Sequence, residues 1–174
     1  MTGKTHILGG VATSVLLMAV GHDLSAVSAS AAVFGSLLPD IDHFNSKISN
    51  KNFATKMISA VTTTIFKHRG FLHTPLFILL TGAVLFVFGQ YYCEWLNLLI
   101  LPICAGMLSH LCLDTLNPQG IMWAYPFSRR RMNLLNITTS SFMEDSVVIL
   151  LFGIIFMGLF RQAAPFLTEF LLGL

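Results

Sequence analysis

Residues 26–43 read AVSASAAVFGSLLPDIDH: an uncharged run through Leu37, then Pro39 and, within four further positions, Asp40, Asp42 and His43. The fold must explain why two carboxylates and an imidazole gather where an apolar helix ends. Pro39 interrupts the helix or starts a turn, so carboxylates on a bent backbone can point inward together. The run itself is rich in small residues. With Gly9, Gly10 and Ser14 upstream and Ser25, Ser28 and Ser30 within it or beside it, it favours close helix approach.

Composition gives the solvent. Of 174 residues, 55% are hydrophobic and only 10% are charged, against roughly 25% charged in an average soluble domain. Such a chain cannot hide its apolar surface from water, whereas a bilayer accepts it. Apolar segments cover about residues 5–21, 24–38, 72–92, 96–116 and 145–161. The expectation is an all-α, polytopic membrane protein with about five transmembrane or membrane-embedded helices. The first two segments are short for a span of ~20 residues, and cross as a packed hairpin around His22 and Asp23. Residues 163–174 lie at the interface. No repeat is visible, and residues 1–174 read as one membrane-embedded domain. The opening MTGKTHILGG superficially resembles a signal peptide. The small residues near Ser28–Ala32 run into more apolar sequence, so cleavage is not expected. Cys93, Cys104 and Cys112 lie in apolar segments without CxxC spacing and read as packing residues.

Two longer connections carry the basic charge. Residues 44–70 contain Lys47, Lys51, Lys56, Lys67 and Arg69, with Phe53, Met57, Ile58, Val61 and Ile65 at helical spacing. This pattern predicts an amphipathic helix on the membrane surface. Residues 117–143 hold a Pro/Gly turn and the triplet Arg129, Arg130 and Arg131. Placing the N-terminus inside puts these groups and Lys4 on the cytoplasmic side, leaving only Arg161 outside, as the positive-inside rule favours. The basic residues then read first as topology signals and anionic-lipid contacts. Trp123, Tyr125 and Phe127 form an interfacial belt. Neither a phosphate-binding glycine loop nor a nucleic-acid module is present, so membrane lipids are the expected partners and nucleic acid is not. Oligomeric state is left open.

On that topology the polar, metal-capable groups share one level. His6 opens the first segment; Asp40, Asp42 and His43 close the second; His68 and His73 open the third; His110 and Asp114 close the fourth; Glu144 and Asp145 open the fifth. A lone Asp or His at a helix end is commonly a cap or an interfacial residue, and His22 and Asp23 are read so. The convergence of five segments is a different matter. Carboxylate oxygen and imidazole nitrogen suit zinc, manganese or iron, while missing thiolate pairs argue against a closed structural zinc site. His110 and Asp114, one turn apart, project from one helix face. Arg69, beside His68, suits bidentate contact with phosphate.

The ordered elements LLPDIDH, HRGFLHT and LSHLCLDTLNPQG, with Thr5-His6 before and Glu144 after, resemble the YdjM-like family of bacterial inner-membrane proteins. That family is described as membrane-bound metal-dependent hydrolases, some members carrying a LexA-linked regulatory name. The resemblance runs from His6 to about Glu144 and implies a multi-pass helical protein with a hydrolytic metal site. By motif, Asp40, Asp42 and His43 match the DxDH element, His68, Arg69, Gly70 and His73 the HRGxxH element, and His110 and Asp114 the HxxxD element; Asn117, Pro118 and Gly120 follow in place. The chain departs from the pattern at TTSSFMED, where a Gly-containing turn is expected before the acid, so Asp145 stands as an alternative to Glu144. The HxxxD helix is also similar to zinc-dependent phospholipase C and related nucleases in architecture, which by itself does not settle function.

The expected chemistry is hydrolysis by two or more divalent ions, zinc first with manganese or iron as alternatives, held by His6, Asp40, Asp42, His43, His68, His73, His110, Asp114 and Glu144. Such ions activate water and stabilise phosphoryl charge. Asp40 or Asp42 bridges ions or acts as general base, and Arg69 contacts phosphate. A site at the cytoplasmic interface suits the phosphoester of a lipid or another amphiphile, in the bacterial inner membrane. Two alternatives use the same ligands: a metal-ion transporter, whose site belongs near the bilayer midplane, and a non-catalytic metal-binding membrane protein.

Overall fold

A computed structural model describes residues 1–22, 25–41 and 70–172. Five α-helices account for most of these residues: α1 (Gly3–Ala19), α2 (Ala26–Leu37), α3 (Pro75–Tyr91), α4 (Asn97–Thr115) and α5 (Phe142–Leu172). Short 3₁₀ turns at Leu38–Asp40, Phe71–His73 and Glu94–Leu96 lie against helix ends. There is no β-strand among the described residues, only an isolated antiparallel bridge between Ile121 and Met132. The all-helical expectation is met. The predicted amphipathic helix falls outside the described residues.

The helix boundaries follow local chemistry. Thr2, Ser25 and Thr74 cap α1, α2 and α3, each hydroxyl accepting from an N–H of the first turn. Pro75 follows its cap at the first helical position, where a missing N–H is harmless. Pro39 sits in the turn that closes α2.

Among the described residues, two helical segments, Glu94–Thr115 and Phe142–Phe166, are long and apolar enough to cross a membrane. Of the about five spans expected, two of those described qualify by length. α1 has 17 residues interrupted by Thr, His and Gly, and α2 has only 12, or ~18 Å at 1.5 Å per residue. The segment Phe142–Phe166 is almost entirely unburied by the rest of the chain, with Ile149, Leu150, Phe156 and Phe160 exposed. An apolar surface of that extent calls for a nonaqueous surrounding or a partner.

Inside the body the pattern reverses, because small residues let α1, α2 and α4 meet closely. A Cβ added at Gly106 would collide with the Ala32 carbonyl, and one at Gly35 with the Ile103 carbonyl. At this crossing of α2 and α4 only glycine fits. Met107 and Leu111 are fully buried beside it, but so are Thr5, His6, Ser36, His110 and Asp114. The starts of α1, α3 and α5 and the ends of α2 and α4 thus meet around polar side chains.

The connection from α4 to α5 caps that end. Asn117–Gly120 forms the predicted turn, closed by Gly120 N–H donating to the Asn117 carbonyl at 3.1 Å. Gly120 has a φ of +61°, in the left-handed region. Leu134 and Ile137 N–H groups donate to the Thr115 and Leu116 carbonyls at 2.9 and 2.8 Å, and Trp123 Nε1 donates to Thr115 Oγ1 at 2.9 Å. The two backbone bonds satisfy carbonyls that the end of α4 would otherwise leave open.

Candidate metal centre

Five side chains from four separate stretches meet at this end. His6 comes from the second turn of α1, Asp40 from the turn beyond α2, His73 from the turn before α3, and His110 with Asp114 from the last turns of α4. His73 Nε2 is 3.1 Å from Asp40 Oδ1 and 3.8 Å from Asp114 Oδ2. His110 Nε2 is 3.8 Å from Asp40 Oδ1 and 3.7 Å from Asp114 Oδ2, while His6 Nε2 is 3.4 Å from Asp114 Oδ1. The His6 and His110 rings stack at 3.8 Å between centroids.

One hydrogen bond orients the centre. His110 Nδ1 lies 2.7 Å from the Ser36 carbonyl oxygen. A carbonyl only accepts, so Nδ1 carries the proton and Nε2 presents its lone pair to the cluster when the ring is neutral. This is how metal-binding histidines are commonly held. The bond exists because Gly35 and Gly106 bring α2 onto α4.

The donor set fits a divalent cation. Ligand atoms each 2.0–2.2 Å from a tetrahedral ion lie roughly 3.3–3.6 Å apart, and the nitrogen–oxygen separations here run from 3.1 to 3.8 Å. Two triads, His6–Asp40–His110 and His73–His110–Asp114, each offer ligand atoms within 4.8 Å of one another. His110 Nε2 and His6 Nδ1 are buried without a hydrogen-bond partner. Buried polar atoms normally find partners, so a bound ion gives these nitrogens a physical purpose.

Asp114 is the hub. Its Oδ1 accepts from Asn117 Nδ2 at 2.8 Å and from the Met1 amino group at 2.9 Å, which leaves Oδ2 on the side of His73 and His110. Asp40 is the more open carboxylate, with 18% of its side chain exposed. Burial by itself would raise its pKa, but the His73 hydrogen bond and the charges of His110, His73 and His6 outweigh burial and bring it down to about 2. Asp40 is thus an anion at neutral pH.

Of the residues predicted from sequence, His6, Asp40, His73, His110 and Asp114 are brought together. Asp42, His43, His68 and Arg69 fall outside the described residues. Glu144 is buried nearby, but its oxygens accept bonds from the backbone of Thr2 and Ser140 and the hydroxyl of Thr5. It belongs to neither triad. Asp145, the alternative acid, is exposed. Sequence reasoning missed two supports. Ser36 acts through its carbonyl, which no residue type announces; Asn117 had a signal, three positions beyond Asp114 in the turn motif.

Comparison with known proteins adds an independent line. A family model described as YdjM inner membrane protein matches residues 1–174. The uncharacterized protein YvsG of Bacillus subtilis (strain 168) is 38% identical over 149 residues, covering 85% of this chain and 88% of that protein. The inner membrane protein YdjM of Escherichia coli (strain K12) is 31% identical over 140 residues, covering 72% of this chain and 66% of its own length. The same description and figures hold for a Shigella flexneri relative. No solved structure matches.

Proposed function

The chain belongs to the YdjM inner membrane protein family, and from that premise we propose that it is a membrane-bound, metal-dependent hydrolase of phosphoesters carried by lipids or other amphiphiles. The observation that carries this reading is the convergence of His6, Asp40, His73, His110 and Asp114, at ligand-like separations, where the helix ends meet. Bound there, a divalent cation, zinc first, would supply Lewis-acid polarisation of a phosphoryl oxygen and activation of water.

The chain's own groups divide the remaining work. His6, His110, His73 and Asp114 hold the charge, with Ser36 fixing the His110 tautomer. Asp40, the least buried of the five, is the group placed to receive the proton of attacking water at a carboxylate oxygen. The two triads share His110, so His6, Asp40, His73 and Asp114 would hold divalent charge around that one imidazole. In this reading the shorter helices α1–α3 are also embedded, and the centre faces the cytoplasm, the side favoured by Lys4 and Arg129–Arg131. An amphiphile could then present its phosphate while its tail stays in the bilayer.

Elemental analysis of detergent-purified protein tests the centre, and phosphate release from phospholipid and polyprenyl-phosphate micelles tests the reaction. The expected result is stoichiometric divalent metal and turnover abolished in Asp114→Ala and His73→Ala. Folded protein that never retains metal would sink the reading. Zinc flux across proteoliposomes without phosphate release would replace the enzyme by a transporter.

A further inference from the structure

We propose that Glu144 is a positioning residue for His6 and lies outside the metal's ligand set. The proposal rests on the metal-centre reading above. Glu144 is 2% exposed at the start of α5. Its Oε1 accepts from Thr2 N–H and from Thr5 Oγ1, each at 2.6 Å, and Oε2 accepts from Ser140 N–H at 2.6 Å. Both oxygens are therefore engaged in charge-assisted bonds. No histidine lies within ion-pair distance of Glu144 among the described residues.

The protons around this carboxylate can be assigned. Thr5 has one hydroxyl proton, and it goes to Glu144. In the 2.9 Å contact between the Thr2 and Thr5 hydroxyls, Thr2 must then be the donor. Thr2 Oγ1 in turn accepts from Thr5 N–H at 3.4 Å, as the cap of α1. A closed circuit thus holds the first turn of α1, and Thr5 directly precedes His6. The negative charge also lies where a helix N-terminus favours it.

The same carboxylate joins α1 to α5. Ser141 Oγ accepts from Glu144 N–H at 3.3 Å, fixing Glu144 at the start of α5. Farther along the pair, a Cβ at Gly158 would run into Val15, so these helices also touch closely there. Glu144 therefore sets where the first turns of α1 and α5 meet, and with them the reach of His6 toward Asp114 and His110. Its clasp is complete without an ion, whereas His6 Nδ1 and His110 Nε2 are left without partners.

Titration of the purified, metal-free full chain with Co(II), read by its visible absorption spectrum and by chelator competition, separates a positioning residue from a ligand. Glu144→Gln keeps an acceptor for Thr2 and Thr5 but removes the charge that a carboxylate ligand would supply. It should keep the wild-type stoichiometry and spectrum, with affinity weakened by at most about 10–100-fold, the usual effect of losing an outer partner. Thr5→Val, which removes the clasp's hydroxyl and no candidate ligand, should weaken Co(II) in the same direction and keeps the test alive if the Gln variant does not fold. His6→Ala should change the spectrum itself. Loss of a metal equivalent or an altered spectrum in Glu144→Gln, with Thr5→Val unchanged, would overturn the proposal and make Glu144 a ligand. A folded wild type that takes up no Co(II) or Zn(II) would instead overturn the metal-centre reading, and this proposal with it.

Discussion

The two ends of the helical body place their polar side chains in opposite surroundings. At one end His6, Asp40, His73, His110 and Asp114 are packed together, all but Asp40 almost completely buried. At the other, Glu94, Tyr91, Tyr92 and Trp95 stand exposed around the turn between α3 and α4. The difference comes from how the helices approach. Where Gly35 and Gly106 bring α2 and α4 into backbone contact, ionisable groups lose water and must satisfy one another. Where the turn opens outward, Glu94 and the aromatic residues around it keep their solvent. Burial of charge without a partner is costly, so the packed end is the one whose chemistry has to be completed.

The largest effect should come from breaking the hub. Asp114→Ala removes the oxygens shared by His6, His73, His110, Asn117 and the Met1 amino group. We expect loss of bound metal, and destabilisation of about 3–5 kcal/mol, the range for breaking a buried ion pair; chemical denaturation and elemental analysis check both. Wild-type metal content in this variant would erase the distinction between the two ends.

Metal removal comes next. Adding Zn(II) to chelated protein should raise its stability by about 2.7 kcal/mol when free metal reaches 100 times the Kd, and the rise should vanish in His110→Ala. A melting temperature indifferent to metal would show that the packed end is complete without an ion.

Gly106→Ala probes the approach that makes the packed end. Its new Cβ meets the Ala32 carbonyl, so α2 must move off α4, at a cost of about 1–3 kcal/mol typical of overpacking. The His110 bond to Ser36 should lengthen and metal affinity fall, measurable by chelator competition. At the opposite end, Glu94→Gln should change stability by no more than about 0.5 kcal/mol, as surface substitutions do, with metal content intact. A large effect there would mean that end holds an interaction of its own.

Some of this contrast could be read from the chain. The HxxxD spacing already put His110 and Asp114 on one face, because an α-helix returns to the same side every turn. The alternation of apolar segments already put His6, Asp40, His73 and Glu144 at corresponding ends. The number of spans was less legible, since apolar composition does not tell a helix that faces lipid from one packed inside the chain. α1 and α2 prove too short and too buried in polar contacts to qualify by length, whereas α5 qualifies with almost no burial. Glu144 poses the same question at the level of one side chain. Its position suggested a ligand, yet its oxygens are occupied by Thr2, Thr5 and Ser140.

By itself, the sequence determined the helical class, the apolar surroundings and the candidates for a metal site, because periodicity, composition and residue chemistry are local properties. Only the tertiary structure decided which of them face one another. That depends on backbone contacts such as Gly35 against Ile103 and on a carbonyl such as that of Ser36, and a carbonyl is the same for every residue type; only its position in space makes it a partner for His110.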